Sequence, residues 1–106
     1  MYLKDIIKSI ERIQEYTSQL DFSEFMANQM VIDATTRNFE IIGEAISQIP
    51  EDVKNKHKTV PWQKIKDFRN VVIHKYFGVD TKALWEIVQD KLEPLKEQIE
   101  KVIKTL

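Results

Sequence analysis

Cysteine is absent from this 106-residue sequence, and glycine and proline are scarce, with two and three copies. Without cysteine the chain can form neither a disulfide framework nor a zinc site built from thiolates. So few glycines and prolines leave little material for β-hairpin turns, and good helix formers fill most of the sequence between them. The composition therefore predicts an all-α protein.

Long apolar runs and a basic excess are also missing. No run approaches the ~20 apolar residues of a membrane-spanning helix, and charged residues interrupt the first five positions, unlike a signal peptide. We therefore expect a cytoplasmic protein with no membrane partner. Because the net charge is −1, whereas proteins that grip long nucleic acids non-specifically are usually basic, we expect any RNA contact to be local and brief, and no DNA partner.

Apolar residues recur at helical spacing along the chain, which predicts four or five helices in an antiparallel bundle. The predicted helices cover residues 2–20, 23–48, 61–76 and 81–106, with a loop or short irregular turn at 49–60. Pro94 must kink or split the fourth helix, and the third should stop near Gly78. For the second helix Ser23 is favoured as N-cap over Asp21, and Asp80 or Thr81 should cap the fourth.

A polar cluster lies in residues 69–76 of the predicted third helix: Arg69, Asn70, His74 and Tyr76. An arginine guanidinium is always charged and matches phosphate geometry, and a histidine can exchange a proton near neutral pH. Together they suit chemistry on a phosphodiester. An arginine followed five positions later by a histidine is nevertheless a weak signal by itself.

A helical wheel of the predicted third helix separates a core side from an outer face. Ile65, Phe68 and Val72 define the core side. Asn70 and His74 fall almost opposite, four residues apart, so that their side chains can touch. Val71 also lies on the outer face, as an interface with a partner would require.

Structural roles stay open for each residue of the cluster. Arg69 could form a salt bridge with Asp67 or Glu44, Asn70 and His74 could simply be solvated, and Tyr76 could plug the helix end. Gly43 would let a neighbouring helix approach closely. With no cysteine and two separated histidines, a metal site would need carboxylates from several helices, so we expect no metal and no cofactor.

The sequence resembles HepT-like proteins, which are HEPN-domain toxins encoded beside a minimal nucleotidyltransferase antitoxin. The resemblance rests on four segments in the family's order and spacing: Gly43-Glu44-Ala45, Pro61-Trp62, residues 69–76 and Val79-Asp80. It covers essentially the whole chain, which we interpret as one domain, residues 1–106. It implies that Arg69 and His74 are catalytic, that Asn70 is their polar companion, and that Tyr76 is a modified tyrosine.

The resemblance further implies a homodimeric helical bundle with metal-independent endoribonuclease activity. It also implies a nucleotidyltransferase partner that silences the toxin by transferring AMP to Tyr76. A two-fold dimer joining the outer faces of the third helices would bring two copies of Arg69 and His74 into one cleft. The competing hypotheses are a non-catalytic nucleotide-binding or scaffolding partner of a nucleotidyltransferase, and a plain dimerisation bundle.

Overall fold

The structure, a computed structural model, describes residues 2–74 and 78–106, with Arg69 and His74 described by their backbone alone. Within these residues it contains seven helices and one short antiparallel hairpin, which confirms the predicted all-α helical bundle. The elements are α1 (Tyr2–Thr17), α2 (Phe22–Met26), α3 (Gln29–Ser47), α4 (Glu51–Lys56), α5 (Trp62–Val72), β1 (Ile73–His74), β2 (Gly78–Val79), α6 (Thr81–Asp90) and α7 (Leu92–Lys104).

One apolar core joins the long helices, with α1 packed on α3 and α7, and α5 packed on α3. Phe39 of α3 and Phe68 of α5 meet edge to face, with ring centroids 6.2 Å apart. The predicted core side of the third helix is confirmed, because Ile65, Phe68 and Val72 are all buried. This packing fixes the rotation of α5 about its own axis.

The predicted second helix is divided into α2 and α3. Asp21, not Ser23, caps α2: its carboxylate accepts the amide of Glu24 at 2.8 Å, and the Glu24 carboxylate accepts the amide of Asp21 at 3.0 Å. This reciprocal pair is a capping box. Asn28 then caps α3 by accepting the amide of Val31 at 3.1 Å. The chain can therefore end one helix and restart another within two residues.

Prolines lie close to two further helix boundaries, those at the start of α4 and between α6 and α7. Residues 49–60, predicted as a loop or turn, contain the short helix α4, which Pro50 precedes. The fourth predicted helix is split into α6 and α7, as Pro94 allowed, and Pro94 lies in the first turn of α7. There a missing amide costs little because the first amides of a helix have no intrahelical partner. None of the helices in the described ranges is long and apolar enough to cross a membrane.

The third predicted helix ends at Val72, four residues earlier than predicted. Ile73 and His74 pair with Val79 and Gly78 in the antiparallel hairpin β1–β2. Residues 71–73 are all β-branched, and such side chains lose rotamer freedom in a helix but fit a strand. The prediction that Gly78 stops this helix was wrong: it lies in β2 with φ +81°, a left-handed conformation that glycine adopts at no steric cost.

Candidate active site

The C-terminal end of α5 presents a solvent-exposed face. Asn70 is exposed, and Val71 leaves 52% of its surface accessible although it is apolar. Val72, the next residue, is completely buried. The prediction that Asn70 and Val71 face away from the protomer's own core is therefore confirmed.

His74 does not share a helical face with Asn70, and that prediction was wrong. Spacing by four places two residues on one face only within a single helix, whereas α5 ends at Val72 and His74 is the second residue of β1. Tyr76 lies outside the described residues, and so do the side chains of Arg69 and His74. The catalytic roles of Arg69 and His74, and the modification of Tyr76, thus stay predictions.

A cleft of about 910 Å³ borders Asn70 and lies between α1, α3 and α5. Its charged lining is evenly balanced, with four basic side chains and four acidic ones among the described residues. They are Lys8, Arg12, Arg37 and Lys66, and Asp5, Glu40, Glu44 and Asp67. Arg37 and Glu40 pair across one helical turn, with 3.6 Å between Nη1 and Oε2. A polar ligand entering here would meet groups of both signs.

Sequence reasoning missed the contribution of α1 and α3 arginines to this cleft. Arg12 and Arg37 lie more than thirty residues before Asn70, and only the packing of α1, α3 and α5 brings them to one cleft. The spacing of residues along the sequence does not predict which distant helices pack together. Glu44, a carboxylate that the sequence offered as a partner for Arg69, is exposed and lies at the wall of this cleft.

Gly43 lies where α3 faces α5. A Cβ atom added there would lie 3.6 Å from the backbone carbonyl oxygen of Lys66. The predicted approach of a neighbouring helix is therefore present, but the spacing is ordinary van der Waals contact and leaves room for a methyl group. The glycine is thus not required by sterics alone.

The second histidine, His57, has structural contacts. Its Nε2 lies 3.1 Å from Oγ1 of Thr105, and its carbonyl accepts a hydrogen bond from the indole Nε1 of Trp62 at 3.1 Å. These contacts join the end of α4 to the start of α5 and to the residue that follows α7. Among the residues that the structure describes, no three His, Asp or Glu side chains gather as a metal centre would need.

Comparison with protein families assigns this helical bundle to a known family. The family model described as ribonuclease HepT-like matches residues 6–102, which run from α1 into α7. The chain belongs to the HepT-like ribonuclease family, as the sequence resemblance predicted.

Individual relatives carry ribonuclease names. The chain is 41% identical over 103 residues to a protein of Thermococcus cleftensis named "Probable ribonuclease HepT", covering 97% of this chain and 94% of that protein. It is 41% identical over 99 residues to "Putative RNase MJ1380" of Methanocaldococcus jannaschii, covering 93% and 91%. It also matches "Gamma-glutamylcyclotransferase and putative RNase MJ0434" of the same organism at 40% identity, spanning all of this chain but only 48% of that longer protein. No solved structure matches the chain.

Proposed function

We propose that this protein is a metal-independent endoribonuclease that acts through Arg69, Asn70 and His74. Membership of the HepT-like ribonuclease family over residues 6–102 carries the proposal. The exposed position of Asn70 beside a cleft of about 910 Å³ supports it, because a substrate phosphate can reach that end of α5. The polar cluster of the sequence would then be the catalytic centre.

RNA cleavage without a metal needs three chemical contributions. A base removes the proton of the 2′-hydroxyl, an acid protonates the departing 5′-oxygen, and a cation stabilises the charge that accumulates on the phosphorus oxygens. In the proposed mechanism His74 transfers the protons, Arg69 stabilises the developing charge, and Asn70 orients His74 or the phosphate. The 2′-oxygen displaces the 5′-oxygen, so the upstream product carries a 2′,3′-cyclic phosphate.

The proposed enzyme is a homodimer with a shared cleft. One protomer supplies one His74, whereas the acid and the base act on opposite sides of the phosphorus. A two-fold dimer joined near the ends of two α5 helices would provide two copies of His74 and of Arg69. The exposed apolar surface of Val71 supports this, since 52% exposure of a valine beside the polar cluster is what an interface would cover.

In the cell we propose that the protein is the toxin of a pair whose antitoxin is a minimal nucleotidyltransferase. The antitoxin would transfer AMP from ATP to the phenol oxygen of Tyr76, two residues after His74 in the sequence, with release of pyrophosphate. The added nucleotide brings bulk and a negative phosphate to the place that substrate phosphate must occupy. Steric exclusion and charge repulsion would then stop cleavage.

The deciding experiment compares purified wild-type protein with His74→Ala on single-stranded RNA, with and without EDTA. The proposal expects wild-type cleavage in EDTA and none by the variant, with the same helical circular dichroism for both. Cleavage that EDTA abolishes would contradict the metal-independent mechanism. Equal cleavage by both proteins would remove His74 from the site.

A second candidate function is a non-catalytic nucleotide-binding partner of a nucleotidyltransferase. The cleft favours it, because about 910 Å³ lies within the size range of small-molecule sites and its balanced charges suit a nucleotide better than a long polyanion. In that case both wild type and His74→Ala would leave RNA intact, while nucleotide binding would depend on Arg37 and Lys66.

A further inference from the structure

A second groove, which adjoins the cleft at Asn70, is strongly basic. It measures about 590 Å³ and lies between the end of α3, α4 and the start of α5. Four lysines line it, Lys54, Lys58, Lys64 and Lys66, against one acidic residue among the described lining, Glu51. These five residues sum to +3, so with a net charge of −1 the rest of the chain sums to −4. We call this surface the lysine groove.

The lysine groove is continuous with the cleft at Asn70. Ser47 and Lys66 line both. On α5, Gln63, Lys66 and Asn70 are three and four residues apart and therefore share one helical stripe. At about 1.5 Å per residue this stripe is roughly 10 Å long. A ligand strand at Asn70 could follow it into the groove.

The chemistry of the groove suits phosphates rather than bases. Lys58 and Lys64 are exposed, while Lys54 pairs with Glu51 at 3.8 Å. Lysine is a point charge that makes little demand on geometry, so such a set binds a polyanion by charge. Trp62, the aromatic residue of the lining, is buried with its Nε1 bonded to the His57 carbonyl. It is therefore not free to stack on a base.

We propose that the lysine groove binds the backbone phosphates of single-stranded RNA beside the nucleotide that is cleaved, without reading its sequence. This inference rests on the proposed ribonuclease function and names where its substrate continues beyond the catalytic residues. Phosphate binding accounts for the concentration of lysines in this groove, whereas the rest of the chain carries a net negative charge. It also makes the enzyme selective for strands that extend past the cleavage site.

The test uses two matched charge reversals. Lys58→Glu/Lys64→Glu alters the groove, and Lys82→Glu/Lys101→Glu alters exposed lysines on α6 and α7. Each double variant changes the net charge by the same amount, since two lysines become two glutamates. The probe is a fluorescent single-stranded RNA with every 2′-oxygen methylated, which cannot be cleaved by 2′-oxygen attack, titrated across salt concentrations.

The groove variant should weaken binding about tenfold or more. It should also make the negative slope of log K against log salt shallower by about 1.4, which is ~0.7 for each lost phosphate contact. The control pair should bind within about twofold of wild type. Circular dichroism of both variants confirms that they are folded. Equal RNA binding by the two variants would overturn the proposal. It would also be overturned if the groove variant bound RNA as wild type does but no longer bound the nucleotidyltransferase, because the groove would then be a protein interface.

A cleavage assay separates this inference from the proposed function. On long RNA the groove variant should lose about tenfold in kcat/KM, whereas on a dinucleotide, which cannot reach the groove, it should match wild type. Equal loss on both substrates would overturn the groove as a distal contact. If wild type cleaves neither substrate, the proposed catalysis fails, and the binding titration still decides whether the groove takes RNA.

Discussion

The backbone amide of Asp80 donates a hydrogen bond to the carbonyl of Val72, the last residue of α5. The carboxylate of Asp80 also accepts the amide of Ala83 at 3.0 Å and so caps α6. One residue thus joins the end of α5 to the start of α6 and closes the segment whose sequence contains His74 and Tyr76. Functional residues are often carried by short connections that a rigid scaffold positions.

Replacing Asp80 should therefore cost stability through the lost cap. Asp80→Ala is expected to lower the free energy of unfolding by about 1 kcal/mol, a typical cost of removing an N-cap. Asp80→Asn should keep most of the stability because asparagine is an equally good cap. Urea unfolding of the three proteins measures both values, and identical destabilisation by alanine and asparagine would show that capping is not the role of this side chain.

The sequence predicted the helical class and the buried side of α5, and it narrowed the cap of α6 to Asp80 or Thr81, because each depends on local spacing or local hydrogen bonding. The structure shows that Asp80 is the cap. It missed the division between α2 and α3. Phe25 and Ile32 are seven residues apart and both buried, so the apolar repeat continues across the break and hides it. The interruption depends on the Asn28 cap, which competes locally with helix continuation.

The relation between Asn70 and His74 could not be predicted for a similar reason. A helical wheel gives the relative directions of side chains only for residues within one helix. Nothing in the apolar spacing shows that α5 ends at Val72. The β-branched run at 71–73 was the available signal. The cleft formed with Arg12 and Arg37 had no sequence signal, since it depends on the packing of three helices.

Arg69→Lys should lose most of the ribonuclease activity although the charge is kept. Lysine cannot present the planar, two-pronged set of donors that matches a phosphate, and removing a donor from a developing oxyanion costs about a hundredfold or more in kcat. Single-turnover cleavage rates measure this. Near-normal activity, with an unchanged melting temperature, would reduce Arg69 to a general electrostatic role.

Tyr76 should be the position of nucleotide transfer. Protein co-expressed with the proposed nucleotidyltransferase antitoxin is expected to gain the mass of one AMP group on Tyr76 and to lose nuclease activity. Tyr76→Phe should remain unmodified and active under the same co-expression. Intact-mass and peptide mass spectrometry decide this, and an unmodified Tyr76 in a silenced protein would mean that inhibition has another cause.

A charge at Val71 should weaken the proposed dimer. Val71→Glu would place two like charges near the two-fold axis, where both are poorly solvated, so self-association and cleavage should fall together. Met30→Glu is the matched control, because Met30 is 83% exposed on α3 and receives the same charge. Sedimentation beside a cleavage assay compares them, and a monomeric Val71→Glu protein with full activity would exclude the shared cleft.

The 3′ end of the cleaved RNA tests the central claim most directly. If His74 and Arg69 promote attack by the 2′-oxygen, mass spectrometry of products formed in EDTA will find a 2′,3′-cyclic phosphate upstream and a 5′-hydroxyl downstream. His74→Ala should give neither fragment. A 3′-hydroxyl paired with a 5′-phosphate would contradict the account, because those ends require water rather than the 2′-oxygen to attack the phosphorus.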